Sequence, residues 1–137
     1  MTEYLLWKAA RNRGLFRALL HGKLLRMEPK LIARTPEPPY YAVIFTSQRT
    51  ADDRGYGHMA ERMATLAAEQ PGFLGIETAR SPEGFGITVS YWASEESITA
   101  WKAQLDHKAA QEGGKRVWYS GYHLRVAKVE RAYGRAP

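Results

Sequence analysis

The residues of this chain best equipped for chemistry are two histidines, an arginine and a group of large aromatic side chains. His107 is a candidate base, because imidazole is the side chain that changes charge near neutral pH. Trp101 stands six residues before it. Tyr56, Tyr91 and Trp92 can wall a flat apolar ligand, and His123 and Arg125 can supply hydrogen bonds to it. A base, a hydrogen-bond donor and apolar aromatic walls could together hold a small molecule and move a proton on it. Each residue also has a plainer reading. Core-facing tryptophans such as Trp92 and Trp101 more often pack than touch a ligand, and a histidine on a helix flank is more often solvated than basic.

Other chemistries find no support. The sequence contains no cysteine, which excludes disulfides and thiolate metal sites and fits a reducing, cytoplasmic setting. No histidines or carboxylates have metal-ligand spacing: His107 and Asp106 are adjacent and do not share a helix face. There is neither a glycine-rich phosphate loop nor a nucleophile elbow. No metal site is therefore expected.

The elements that must position these residues follow from periodicity. Tyr40 to Ser47 is rich in β-favouring residues and reads as a strand. The apolar positions Tyr56, Met59, Ala60, Met63, Leu66 and Ala67 recur at helical spacing, which predicts a helix over about 52–70. Pro71-Gly72 stops it. Phe73 to Arg80 is a second strand, Ser81-Pro82-Glu83-Gly84 a hairpin turn, and Phe85 to Trp92 a third strand. In that third strand Phe85, Ile87, Val89 and Tyr91 point one way, and Gly86, Thr88, Ser90 and Trp92 the other. Ser94 caps a second helix, Glu95 and Glu96 complement its positive end, and Ile98, Trp101 and Leu105 form its apolar stripe. Lys115 to Ser120 reads as one more helical turn, carrying Val117, Trp118 and Tyr119. A last strand runs from Tyr122 to about Tyr133. The order β-α-β-β-α-β predicts an α+β, ferredoxin-like domain with a four-stranded antiparallel sheet and both helices on one face. The other face also carries apolar side chains, so a second copy is expected to cover it.

Charge is distributed unevenly. The net charge is +6, with eight Lys or Arg against two Glu in residues 1–35 and twelve of each sign afterwards. A neutral body argues against nucleic-acid binding. Residues 1–35 are expected to form a basic N-terminal extension, read as an appended, weakly ordered helix in preference to an amphipathic helix laying residues 1–26 on a membrane. Gly14 and Gly22 weaken a continuous helix there. The prolines of Thr35-Pro36-Glu37-Pro38-Pro39 make a stiff link to the domain at 36–137. No apolar run approaches the ~20 residues that cross a bilayer.

Two motifs carry a family resemblance. Thr88-Val89-Ser90-Tyr91-Trp92, followed by Ser94-Glu95-Glu96, Ile98 and Ala100-Trp101, resembles the antibiotic biosynthesis monooxygenase family, as does Gln70-Pro71-Gly72-Phe73-Leu74-Gly75. The resemblance covers residues 38–134. It implies a dimeric α+β barrel whose ligand cavity lies between sheet and helices. Some members of that family oxidise an aromatic substrate with no metal, flavin or haem, the substrate anion itself passing an electron to oxygen. Haem-degrading members instead hold iron through a late histidine of the second helix. Here Trp101 matches their tryptophan, but Gln111 stands at the histidine position. His107 lies one turn earlier, a displacement of about 6 Å along a helix. The asparagine such enzymes carry on the first strand is matched only by Thr46, Ser47 or Gln48. Haem is therefore disfavoured. The expectation is a cofactor-independent monooxygenase of a small aromatic or quinone-like compound, with His107 and Trp101 catalytic and Tyr56, Tyr91, Trp92, His123 and Arg125 binding. The competing expectation is a non-catalytic dimeric domain, either a small-ligand-binding module or a structural domain whose pocket is packed solid by Trp92, Trp101 and Trp118.

Overall fold

In the computed structural model the described residues are 16–20 and 23–27 (backbone only), 32–52, 56, 65–111 and 118–135, with side chains of 106–111 left aside. Strands β1 (Phe16–Leu20) and β2 (Lys23–Met27) form a separate antiparallel pair. The main sheet contains β3 (Tyr40–Arg49), β4 (Phe73–Arg80), β5 (Phe85–Trp92) and β6 (Tyr119–Val129). Residues 65–69 are helical (α1), as is Tyr56, and α2 spans Glu95–Gln111. None of the helices described is long and apolar enough to cross a membrane.

The sheet is fully antiparallel, in the order β4-β5-β3-β6, so the first strand of the domain lies inside and the last at an edge. That is the ferredoxin-like arrangement expected from the element order. β3 pairs with both neighbours over Tyr41–Gln48, for example Val43 with Ser90 and with Val126. Directly opposed residues share a face. The helix-side face therefore carries Val43, Phe45, Thr88, Ser90, Trp92, Leu124 and Val126. The outer face carries Ala42, Ile44, Val89, Tyr91, His123 and Arg125.

α2 is anchored where its sequence says it should be. The Ser94 hydroxyl accepts the Ser97 amide at 3.2 Å, and Glu95 and Glu96 lie in the first turn. The end of α1 is fastened to the same place, since the Ala93 amide donates to the Gly72 carbonyl at 2.8 Å. Gly72 has a φ of +83°, and a Cβ there would lie 2.1 Å from the Ser97 hydroxyl. Only glycine satisfies both the left-handed backbone and that approach.

Two expectations need correction. The leading segment, read as a helix, contains the β1–β2 pair, with Leu20 opposite Lys23. A two-residue connection containing Gly22 suits a hairpin, and the same glycine weakens a helix. The helical turn expected at Lys115–Ser120 is not seen at its described end: Tyr119 and Ser120 already belong to β6. A register shift at Gln48/Arg49 lets Tyr119 pair with Arg49, and the Thr50 amide closes on the Trp118 carbonyl at 2.9 Å. The first predicted helix is described only at Tyr56 and 65–69; the rest of it lies outside the described residues.

The outer face is partly covered by the chain's own linker. The Ala33 amide donates to Glu77 Oε2 at 3.2 Å, and the Thr35 hydroxyl to Tyr40 Oη at 3.0 Å. Tyr40 and Ala42 are buried on that face, whereas Phe85 and Ile87 at its other end remain 50% and 42% exposed.

Candidate functional site

The core lies between the sheet and the helices, and it is aromatic. Trp92 is fully buried, with its ring stacked 6.2 Å from that of Trp101 at an interplanar angle of 27° and meeting Phe73 edge-on. Tyr56, Trp118 and Tyr119 form a second group with edge-to-face contacts near 6.1 Å. Such pairs add roughly 0.5–1.5 kcal/mol each beyond burial, so both groups are rigid walls.

Between these groups the structure leaves a cavity of about 360 Å³. Its floor is the helix-side face of the sheet, with Val43 and Phe45 from β3 and Thr88, Ser90 and Trp92 from β5. Ile98, Trp101, Lys102 and Leu105 of α2 form its roof, and Tyr122, Leu124 and Val126 of β6 line one side. Those three β6 residues are also 48–59% exposed, so the cavity opens along the free edge of the sheet. The space is thus open and not packed solid; Trp118 packs on Tyr56 instead of filling it.

The few polar groups facing this cavity are ordered by neighbours. Thr88 shares a hydrogen bond of 2.8 Å with Thr78, and Ser90 Oγ accepts from Trp92 Nε1 at 2.9 Å. The Tyr119 hydroxyl donates to Tyr56 Oη at 3.2 Å. Burial pushes the Tyr119 phenol far above its ordinary range, and the neighbouring Tyr56 adds to this while Arg80 and Arg49 partly offset it. Tyr119 is therefore a neutral phenol, not a base. Arg49 lies over the Tyr56 ring at 3.4 Å. Arg80 crosses β5 where Gly86 leaves room and donates to Ser47 Oγ at 2.7 Å; a Cβ at Gly86 would meet its guanidinium at 2.6 Å.

The residues singled out from the sequence divide into four groups. Trp92 and Trp101 stand together in the cavity wall. Tyr56 is buried behind it, bonded to Tyr119. Tyr91, His123 and Arg125 are on the outer face, away from the cavity; the Tyr91 hydroxyl donates to Glu77, and burial followed by Glu77 holds it well above its usual range. His107 is within α2, but its side chain, like that of Gln111, lies outside the described residues. Sequence reasoning missed Ser90, Thr88, Tyr119 and the β6 side of the cavity. The alternation of β5 already put Ser90 beside Trp92 on one face, whereas Tyr119 was hidden by the helical reading of its surroundings. Among the described residues the lining holds no histidine, cysteine or methionine to ligate iron.

A ferredoxin-like sheet with an aromatic-walled cavity beneath its second helix defines the class of α+β domain. Comparison with known proteins makes the class specific. Residues 55–113 match the family model described as antibiotic biosynthesis monooxygenase. The chain is 57% identical to the Bacillus subtilis protein YqjZ over 100 residues, covering 73% of this chain and 88% of that one; YqjZ is itself uncharacterized. It is 33% identical over 94 residues to the jasmonate monooxygenase ABM of Pyricularia oryzae, covering 65% of this chain but only 43% of that enzyme. In fold it is similar to SnoaB of Streptomyces nogalater, described as a cofactor-independent oxygenase, with a TM-score of 0.57, 14% identity, and coverage of 72% of this chain and 100% of that one. The chain belongs to the antibiotic biosynthesis monooxygenase family.

Proposed function

We propose that this protein is a cofactor-independent monooxygenase acting on a small aromatic or quinone-like compound. The observation that carries the reading is the open cavity of about 360 Å³ with Trp92 and Trp101 stacked in its wall. Its lining is almost wholly apolar, which suits a planar aromatic and desolvates an anion formed on it. Family membership and the oxygenase descriptions of two similar proteins support the same reaction class.

The chemistry needs no external reductant. When a ring CH₂ of an anthrone-type substrate becomes C=O, the carbon gives up four electrons. One oxygen atom of O₂ enters the product and the other leaves as water, which accounts for all four. The protein's tasks are to bind the substrate, take its acidic proton and exclude water. His107 is the proposed base, standing six residues after Trp101 on α2. Trp92 and Trp101 hold the ring plane. Among the described residues the lining offers haem iron no histidine, cysteine or methionine ligand.

Oxygen consumption tests the reading. Wild-type protein given a panel of hydroquinones and anthrones should take up oxygen above the uncatalysed rate with at least one of them. His107→Ala should lower that rate about 100-fold or more, the size of a general-base contribution. No uptake with any of the panel would count against the oxygenase.

A further inference from the structure

Among the described residues, Ser90 is a cavity-lining polar group whose direction is set by the protein and whose proton the protein does not use up. Ser90 Oγ accepts the indole N–H of Trp92 at 2.9 Å. That bond occupies a lone pair of the hydroxyl and leaves its proton to be donated elsewhere. No acceptor for this proton is found among the described residues, and Ser90 lines the cavity. Trp92 is fully buried and stacked on Trp101, so the indole that fixes the serine oxygen cannot swing away.

Neighbouring polar groups behave differently. Thr88 is engaged with Thr78 at 2.8 Å, and Tyr119 spends its proton on Tyr56. Lys102 of the roof has an interaction of its own, and in a lining that is mostly apolar one aimed donor fixes the orientation of a flat ligand.

We propose that Ser90 is the ligand's polar anchor, donating a hydrogen bond to a carbonyl or phenolic oxygen of the aromatic compound, and that Trp92 is a positioning residue that aims it. This deepens the cavity reading above and rests on it. The substrate class narrows accordingly to planar aromatics that carry an oxygen on the ring edge lying over β5. Unsubstituted hydrocarbons of the same shape fit the walls but leave the Ser90 hydroxyl unpaired, which carries a cost.

Equilibrium dialysis of the full chain with 1-naphthol and with naphthalene tests this, the readout being the ratio of the two dissociation constants. Wild type should favour 1-naphthol by roughly five- to tenfold, one neutral hydrogen bond. Ser90→Ala should bring the ratio close to one by weakening 1-naphthol only, and Ser90→Thr, which keeps a hydroxyl, should restore it. Because Ser90→Ala also removes the acceptor of Trp92 Nε1, Ser90→Cys serves where the alanine variant does not fold; its weak donor should lose the preference too. A ratio unchanged in the folded Ala or Cys variant, or both ligands weakened alike, would overturn the anchor. Wild type that binds neither compound would overturn the anchor together with the cavity reading. Discrimination by wild type that is lost in the variants, without oxygen uptake, would leave the anchor standing and remove the oxygenase.

Discussion

Tyr119 shows how much a single side chain's surroundings decide. As a neutral, buried phenol bonded to Tyr56 it stiffens the cavity's inner end. Its raised pKa has a measurable sign. Below the ordinary tyrosine value of about 10, both folded and unfolded chains keep the proton and stability is unaffected. Above it the unfolded chain loses the proton and the folded chain does not, so stability falls by about 1.4 kcal/mol per pH unit for this group. Urea unfolding at pH 8 and pH 11 should show this loss, and Tyr119→Phe should make it shallower while costing about 1 kcal/mol at pH 8 through its lost bond to Tyr56. An identical alkaline slope in the variant would remove Tyr119 from the account. At this scale the sequence was informative about Trp92 and Trp101, whose strand alternation and helical spacing put both on the core side. The same alternation set Ser90 beside Trp92, but a serine in a strand is ordinary until its neighbour's indole is seen to bond it. Tyr91, His123 and Arg125 attracted notice by residue type, yet their register sets them on the face away from the cavity.

Among elements, the joint between the end of α1 and the start of α2 holds the roof over the floor. Pro71-Gly72 and Ser94-Glu95-Glu96 were both legible as stop and start signals, since each reflects local backbone chemistry. What could not be read was that they meet: the Gly72 carbonyl takes the Ala93 amide, and its missing Cβ makes room for Ser97. Gly72→Ala should therefore destabilise the fold by about 1–3 kcal/mol, from the left-handed backbone and the close approach together. Thermal unfolding measures it, and a loss below about 0.5 kcal/mol would show that the joint relaxes freely. The start of β6 was less legible. Tyr119 and Ser120 join the sheet only because the register shift at Gln48/Arg49 brings Arg49 opposite Tyr119, a non-local event with no signal in their own sequence. The β1–β2 pair was missed because paired leucines interleaved with basic residues single out neither periodicity.

For the molecule as a whole, the outer sheet face poses the question of assembly. We propose that a second copy packs against it, as the exposed Phe85 and Ile87 suggest, at the end that residues 33–35 leave uncovered. Light scattering at micromolar concentration should give twice the 15.5 kDa chain mass, and a stable monomer would contradict this. The fold was legible at this scale since its strand and helix order admits few topologies; the cavity's openness was not, because it depends on how far α2 stands from the sheet.

The central claim is that the enclosed substrate supplies every electron that oxygen needs. It is tested most directly by turning over an anthrone under ¹⁸O₂ with no flavin, reductant or metal added and a chelator present. The account predicts one labelled oxygen in the quinone product per molecule of O₂ consumed, the other appearing as water. Turnover that requires an added cofactor, or product oxygen drawn from solvent water at the moment of formation, would contradict it.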